Sequence, residues 1–590
     1  MTYQAPIEEI LDCLENGVDI GSLAGRAGFE NYDDELLKPV LEEAGKLASE
    51  VLAPINSLGD QVGAVLKGNR VVLPDSFASA FETYRDGGWI GLSFPESWGG
   101  QSMPRTLALA VTEMVHSANL SFGLCPILSQ GAIEALLAHG SEDLKQTYLE
   151  KLISGQWTGT MNLTEPQAGS DVGALTTKAV PNEDGTYAIS GQKIYITWGE
   201  HDCAENIVHL VLARLEGAPK GSKGISLFVV PKFLPDAEGN PGDRNGVKCI
   251  GLEKKIGIHA SPTCVMEYQN ATGWLVGEEN RGLACMFTMM NAARLNVGLQ
   301  GVGASEAAYQ AALSYAKERK QGASADWKGE GAAPILYHAD VRRNLLEIKA
   351  KAMASRHICY ACAMAGDLSV SETDPEKKAA YKLREDILTP IAKAWSTDAA
   401  VEATSVGVQI HGGMGFMSET LGAQLFKDVR ITPIYEGTNG IQAADLVGRK
   451  LSLANGAGIR ELLDEIHSSV EDGRQSNQPV VVKAADRLRD ATEALEAATE
   501  WMMEKLKTNK SEALSAATPY LALFGDVLGG HYLLSAELKR GRKGAHGKKL
   551  TPVLGFYAEN VLPLARGKSA ALIGEVDFTA EEVLALFEAS

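Results

Sequence analysis

Between about residues 160 and 280 the helical spacing of apolar residues breaks off. Short runs rich in β-branched and aromatic residues take its place, at Thr186 to Thr197, Asn206 to Leu215 and Lys223 to Phe233. Such residues suit a pleated, half-buried surface, so these runs read as strands. Asn182-Glu183-Asp184-Gly185 supplies the turn for a hairpin just before Thr186. On either side the chain reads as helix. Apolar residues recur at three- and four-residue steps from Leu36 through Leu41, Leu47 and Val51. A long helix is expected from Gly282 to Arg319, where Gly298, Gly301 and Ala304 permit close helix contact. Leu488, Ala491, Leu495, Ala498, Met502 and Leu506 lay one apolar stripe along a late helix. Gln321 to Pro334 and the stretch SETDPEKK read as loops. The expected fold class is therefore α+β: a helical domain over 1–157, a β-domain over 158–281, a helical domain over 282–455 and a further helical region over 456–590.

Composition narrows the function classes. Of 590 residues, 45% are apolar and 22% charged, enough to bury a large core without metals or disulfides. The formal charge of −20 repels nucleic acid and anionic lipid over most of the surface. The eight cysteines are sparse and lack framework spacing, which fits a reducing compartment. The N-terminal segment carries acids where a signal peptide needs bases, and no run approaches the length of an uninterrupted apolar span. A cytoplasmic protein without a spanning helix is expected.

Four clusters carry candidate chemistry, all in the two middle domains. In Leu163-Thr-Glu-Pro-Gln-Ala-Gly-Ser-Asp171, Gly169 and Ser170 let backbone N–H groups approach an anion or ring oxygens; the plain alternative is a polar loop. Tyr195-Ile196-Thr197-Trp198 places a hydroxyl and aromatics at a strand end, where a planar cofactor or an ordinary strand fits equally. Gln409-Ile-His-Gly-Gly-Met-Gly415 packs three glycines after a helical run. Each costs about 1 kcal/mol inside a helix, so the helix ends there or something needs close backbone approach. Ile434-Tyr-Glu-Gly-Thr-Asn-Gly-Ile-Gln442 is a turn-rich loop entering a helix, with Glu436 between Tyr435 and Gly437. A carboxylate among apolar groups is pushed up in pKa and suits a general base; a capping or solvated Glu is the commoner fate.

Together, in this order, the clusters resemble the signatures of the acyl-CoA dehydrogenase family, over roughly residues 35 to 450. The stretches TEPQAGSD, QIHGGMGF and DVRITPIYEGTNGIQ carry the resemblance, supported by GLEKKIGIHASPT and SYAKERKQG. Gln167 stands where that family usually has Gly, Gly440 where Gln often follows the catalytic Glu, and Asn162 and Gln424 also depart from common choices. The chain length and the late helical region resemble the longer subgroup of the family, which includes 3-methylmercaptopropionyl-CoA dehydrogenase.

The resemblance implies a helical domain, a β-barrel-like domain, a four-helix bundle and an extra helical domain. It implies FAD as cofactor and removal of an α-proton and a β-hydride from an acyl-CoA, giving a trans-2-enoyl-CoA. By motif position Glu436 is the base. Its backbone N–H and a flavin ribityl hydroxyl hold the thioester carbonyl. Met161, Leu163, Thr164, Gly169, Ser170, Tyr195, Ile196, Thr197 and Thr438 match cofactor contacts. Ser170, Arg294, Tyr435 and Gly437 match substrate contacts. Arg319, Gln409 and Gly413 match groups that hold the FAD pyrophosphate and adenosine of a neighbouring subunit, which implies a homodimer. Some relatives carry the base just before the residue matching Arg294; Ala293 stands there, so that position is empty. The implied substrate is 3-methylmercaptopropionyl-CoA or a short- to medium-chain fatty acyl-CoA. The implied electron acceptor is an electron-transfer flavoprotein. An acyl-CoA oxidase on the same fold, or a DNA-binding relative of the family, are the competing readings; the −20 charge opposes the second.

No metal site is expected. Cys359 and Cys362 form a CxxC inside a helix, read as core packing, and His411 as a packing or hydrogen-bonding residue. Lys539 to Lys549 carries six bases and no acid, read as a solvated loop.

Overall fold

The computed structural model describes residues 3–542, 550–574 and 581–588, and these form two units. One spans Glu43–Asn296; the other joins Pro6–Glu42 to the chain from Val297 onward. The basic stretch from Lys543 to Lys549 lies outside the described residues.

The strands of the first unit are β1 (Val65–Lys67), β2 (Arg70–Val72), β3 (Trp157–Asn162), β4 (Lys178–Pro181), β5 (Tyr187–Thr197), β6 (Asn206–Leu215), β7 (Ser226–Pro231), β8 (Phe233–Pro235), β9 (Pro241–Arg244), β10 (Val247–Leu252) and β11 (Thr263–Val276). The long β11 pairs antiparallel with β5 along one stretch and with β7 along another. From β5 the ladder continues to β4, from β4 in parallel to β6, and from β6 back to β7. That closes a five-stranded barrel, which removes free edges. β3 adds in parallel to β6, and β10 antiparallel to β11. Asn182 to Gly185 forms the expected turn between β4 and β5, with Pro181 opposite Tyr187. Ile189, Val211, Phe228, Val230, Cys249 and Met266 belong to the buried core of the strands.

Helices cover β3. The helix Leu120–His139 is capped by Asn119, whose Oδ1 accepts from the Phe122 N–H at 3.0 Å. It sits close to β3 because Gly159 has no side chain: a Cβ there would lie 2.5 Å from the Ala132 Cβ. The Gly159 N–H donates to Ser129 Oγ at 3.0 Å. By length and mean composition this helix could cross a membrane, though polar residues interrupt it as the sequence reading has it. Its most apolar window is 83% buried, the state of a core helix.

The second unit is helical. Its long members are Gly282–Glu318 from Val297 onward, Ala339–Ser371 and Pro375–His411, joined by the shorter Leu421–Val429. Cβ atoms on Gly298 and Gly301 would lie 2.7 Å from Ala392 O and 2.5 Å from Ser396 O, so glycine is what lets these helices touch. The loop read from SETDPEKK is shorter than expected. Asp374 accepts from the Glu376 and Lys377 N–H groups, Pro375 takes the first helical position, and PEKK opens the helix. Cys359 and Cys362 are buried, their thiols 3.6 Å from Ser396 Oγ and 3.5 Å from Thr389 Oγ1.

Later helices, Ala457–Arg474, Pro479–Thr508 and Ala517–Arg542 among them, pack in the same unit. The stripe from Leu488 to Met502 is buried as its spacing implies. Trp395 Nε1 donates to Asp526 Oδ1 at 3.0 Å, and Lys568 Nζ to Asp526 Oδ2 at 2.5 Å. The N-terminal helix Ile7–Asp12 is tied in by Glu9 with Lys349 and by Asp12 with Arg540.

Candidate active site

In the barrel unit the first two clusters meet. The Ile194 N–H donates to Thr164 O at 2.9 Å, which fastens the loop after β3 to the end of β5. Met161, Leu163, Thr164 and Thr197 are half-buried, Gly169 and Ser170 exposed, and Ile196 buried. The end of β5 is sharply bent: Tyr195 and Trp198 take φ of 59° and 52°, a left-handed region that costs an L-residue about 1 kcal/mol or more. Tyr195 is 59% exposed, whereas Trp198 is buried and donates from Nε1 to Ser121 O at 3.2 Å.

What fixes this loop is Glu165, wholly buried with Lys193. Its Oε1 accepts from Lys193 Nζ at 2.8 Å, Thr177 N at 3.0 Å and Thr177 Oγ1 at 2.6 Å. Its Oε2 accepts from Thr176 N at 2.7 Å, Thr176 Oγ1 at 2.8 Å and Gln167 Nε2 at 2.7 Å. Lys193 also donates to Leu163 O at 2.9 Å. Burial by itself raises a carboxyl pKa, but Lys193 and these donors outweigh it and hold Glu165 at about 2. Burial draws the Lys193 ammonium down to about 8, against the opposing pull of Glu165. Gln167, the departure from the family's Gly, is one of the six donors. Arg294 is buried in the same unit, with Nη1 donating to Asn291 Oδ1 at 3.1 Å, and Ala293 beside it carries no base.

In the helical unit, Glu436 lies on the loop between Leu421–Val429 and the short helix Asn439–Asp445. It is half-buried with φ of 56°, followed by Gly437 at 85°. Two successive left-handed residues turn the chain sharply, and one is not glycine, which is stored strain. Asn439 holds the loop. Its Oδ1 accepts from the buried Lys393 Nζ at 2.7 Å; its Nδ2 donates to Thr397 Oγ1 at 3.0 Å and Asp398 Oδ1 at 2.7 Å. The Asn439 N–H returns to Pro433 O at 2.9 Å. Thr438 caps the short helix, its Oγ1 accepting from Ile441 N at 3.2 Å. The Tyr435 hydroxyl donates to Gln300 Oε1. Burial, with the Glu436 carboxylate nearby, pushes the Tyr435 phenol well above its ordinary pKa, so it stays a neutral donor.

Arg319 and the glycine motif form a second group. Tyr315, one turn before Arg319, lies over His411 at 4.7 Å between ring centroids. His411 Nδ1 pairs with Gly407 O at 2.7 Å and is a packing residue. The helix ends at His411, with Gly412 at φ of 59°. Arg319, Gln409 and Gly413 are exposed, and a Cβ on Gly412 or Gly413 would meet nothing within 4 Å. Beside them Met414, Phe416 and Met417 are exposed, Phe416 by 84%. Lys193, Gln300, Lys393 and Asn439 are the site-shaping residues that the motifs did not single out.

Four family models match in order. They are the acyl-CoA dehydrogenase N-terminal domain over 64–156, middle domain over 160–271 and C-terminal domain over 280–452, and an acetyl-CoA dehydrogenase C-terminal-like domain over 462–580. The chain is 44% identical over 569 residues to 3-methylmercaptopropionyl-CoA dehydrogenase of Ruegeria pomeroyi, covering 95% of this chain and 96% of that one. It is 33% identical to the broad-specificity linear acyl-CoA dehydrogenase FadE5 of Mycobacterium tuberculosis, over 95% and 96% of the two chains. Its fold matches that of Caenorhabditis elegans ACDH-11 in complex with C11-CoA with a TM-score of 0.78 at 19% identity, over 100% of this chain and 95% of that one. With these matches the chain belongs to the acyl-CoA dehydrogenase family and is an acyl-CoA dehydrogenase.

Proposed function

We propose that this enzyme removes the α-proton of a short acyl-CoA with the Glu436 carboxylate while the β-hydride passes to FAD, giving a trans-2-enoyl-CoA. The observation that carries this reading is Glu436 itself, held on a strained, anchored loop at the family's base position with Ala293 at the alternative one. The residues fit FAD. Gly169, Gly412 and Gly413 are unobstructed where a Cβ would sit, Arg319 is an exposed cation suited to a phosphate, and Thr197 presents a half-buried hydroxyl at the end of β5. When bound, FAD supplies the hydride acceptor. Thr164, Ser170 and Thr197 orient its ring, and the Glu436 N–H polarises the thioester carbonyl. Arg294 and Gly437 hold the substrate.

The 44% identity to a 3-methylmercaptopropionyl-CoA dehydrogenase favours a short, sulfur-containing acyl group. Met414, Phe416 and Met417, exposed beside Gly413, fit burial against a second copy that shares Arg319 and Gln409 with its partner's FAD. Electrons then leave to an electron-transfer flavoprotein.

Anaerobic mixing of FAD-loaded enzyme with acyl-CoAs from propionyl to palmitoyl, with 3-methylmercaptopropionyl-CoA added, tests the reading. Flavin bleaching by a short acyl-CoA is expected; none with any acyl-CoA overturns it. Rapid oxygen uptake with acyl-CoA alone would make the enzyme an oxidase. Light scattering is expected to give a dimer, and a flavin-loaded monomer would sink the shared site.

A further inference from the structure

The late helices reach the base loop from behind. Lys393 and Thr397 lie one turn apart on the helix Pro375–His411 and face Asn439, which anchors the Glu436 loop. Trp395, midway between them, points to the opposite side of that helix. Its Nε1 donates to Asp526 Oδ1 at 3.0 Å, on the helix Ala517–Arg542. Gly525 lets the two helices meet, since a Cβ there would lie 2.2 Å from Trp395 Cδ1. Asp526 is itself fixed by later helices: its Oδ2 accepts from Lys568 Nζ at 2.5 Å, and its backbone oxygen from the Tyr557 hydroxyl at 2.9 Å. Pro390 explains why such a brace is needed. It sits inside the helix and has no N–H for the Asp386 carbonyl, so the ladder is interrupted just ahead of Lys393. The segment after that break, Lys393 to Asp398, is set less by the helix before it than by what clamps it on either side. The helix Ala517–Arg542 also packs against Asn439–Asp445, the helix that the base loop enters.

We infer that Asp526 is a positioning residue for the Glu436 carboxylate. It touches no reacting atom. It holds the Trp395 indole, which sets the segment bearing Lys393 and Thr397, and through Asn439 that segment sets the base. This rests on the reading of Glu436 as the base and deepens it, because it gives the late helices a part in the chemical step beyond the burial of apolar surface. The strain at Glu436, with φ of 56°, persists only while its surroundings over-determine it. Loss of the brace lets the loop relax and moves the carboxylate off the α-carbon, while the barrel residues assigned to FAD keep their places.

The test is anaerobic bleaching of the FAD-loaded enzyme at saturation with the fastest of the acyl-CoAs from propionyl to palmitoyl. Trp395→Phe keeps an aromatic ring against Gly525 and removes the N–H. It is expected to slow bleaching by ~5-fold or more, a small part of what a misplaced catalytic group costs, with FAD content unchanged. The isotope effect with α-deuterated substrate should rise, because proton abstraction becomes the slower step. Asp526→Leu should do the same, whereas Asp526→Asn keeps an oxygen for the indole and should retain most of the rate. Should Asp526→Leu fail to fold, Trp395→Phe and Asp526→Asn decide. Ser569→Ala is the control. It removes a 2.8 Å bond to Ala494 O between two late helices, and should lower stability without slowing bleaching. If Trp395→Phe bleaches at the wild-type rate, or Ser569→Ala slows bleaching equally, the late helices only add stability and the inference is wrong. It is equally wrong if Asp526→Asn is as slow as Asp526→Leu, since the indole bond is then not what matters. The base reading fails separately, if Glu436→Gln bleaches normally.

Discussion

The loop around Thr164 and the loop around Glu436 are built on opposite plans. Glu165, which anchors the first, accepts six hydrogen bonds from four residues, one of them a buried ammonium. The second is anchored at Asn439 but carries strain at Glu436 and leaves Gln300 and Gln442 each with an unmet amide head. A loop that must hold a cofactor through every turnover gains from having all its polar groups satisfied within the protein. A loop that meets a substrate afresh each cycle keeps donors and strain in reserve, where substrate or transition state relieves them. On the function proposed above, satisfaction marks the cofactor platform and deficit marks the reacting side.

The largest effect should come from the base. Glu436→Gln keeps shape and removes proton abstraction, so flavin bleaching by substrate should fall by at least ~10³-fold. FAD content should not change. Glu436→Asp should retain partial activity, because a shorter carboxylate is misplaced but still basic. Near wild-type bleaching by the Gln variant in anaerobic stopped flow would move the base elsewhere and dissolve the contrast between the loops.

Next in size is the platform. Lys193→Met strands the Glu165 carboxylate, and Glu165→Gln strands the ammonium; breaking a buried pair from one side costs about 3–5 kcal/mol. Both variants should lose FAD and unfold at lower denaturant. Whatever fraction remains loaded should bleach at close to the wild-type rate, since neither residue touches the reacting atoms. FAD dialysis and urea titration measure the first effect, and single-turnover bleaching the second. Platform variants that kept FAD but slowed the chemical step would reverse the division of labour.

The difference also explains what was readable beforehand. The strand runs, the end of the helix at Gly412 and the stripe from Leu488 rest on local period or local backbone freedom, and these are written in neighbouring residues. Asp374-Pro375 was a legible helix start inside SETDPEKK, and Gly68-Asn69 a legible turn between β1 and β2; both are local signals that polar composition obscured. Lys193 as the partner of Glu165 was not legible, and neither was Lys393 as the partner of Asn439. Each pair is distant in sequence, and a lysine in a strand or helix reads as solvated until the fold buries it. The tie of Glu9 to Lys349 joins the chain's first helix to its third domain-sized segment by the same long-range logic. The motifs held the candidate reacting groups and Asn439, while the lysines that pair with Glu165 and Asn439 came only from the fold.

Acid sharpens the comparison between the units. Burial holds His116, His201 and His209 of the barrel unit at about 3, and His357 and His531 of the helical unit at about 4. Each has a folded pKa below its unfolded value, so between the two values the unfolded chain binds the extra proton. Stability therefore falls as pH drops below about 6.5, by about 2 kcal/mol per histidine at pH 5. His357 and His531 stop contributing near pH 4, whereas the barrel histidines continue to near pH 3. Hydrogen exchange followed from pH 7 to pH 4 should show protection falling in both units, and His209→Gln should remove about one proton from the slope. An unchanged slope would mean that His209 is already protonated in the folded protein.

The smallest effect separates two caps that look alike. Asp171 Oδ1 accepts from Gly173 N at 2.9 Å in the platform loop, and Thr438 Oγ1 accepts from Ile441 N at 3.2 Å at the helix after the base. Removing such a bond costs about 1 kcal/mol. Asp171 is exposed, and the loop it closes is already held by Glu165, so Asp171→Ala should leave flavin bleaching unchanged and lower stability slightly. Thr438 stands two residues from Glu436 on a loop with strain to release. Thr438→Ala should therefore shift the base and slow bleaching by about two- to fivefold, a small part of what misplaced catalytic groups can cost. Thr438→Ser keeps the cap and should restore the rate. If the side chain also touches FAD, as its motif position implies, Thr438→Ala should weaken FAD binding while Thr438→Ser does not. If the two alanine variants slow the chemical step equally, the loops do not differ in how tightly they are held, and the reserve of strain at Glu436 has no part in catalysis.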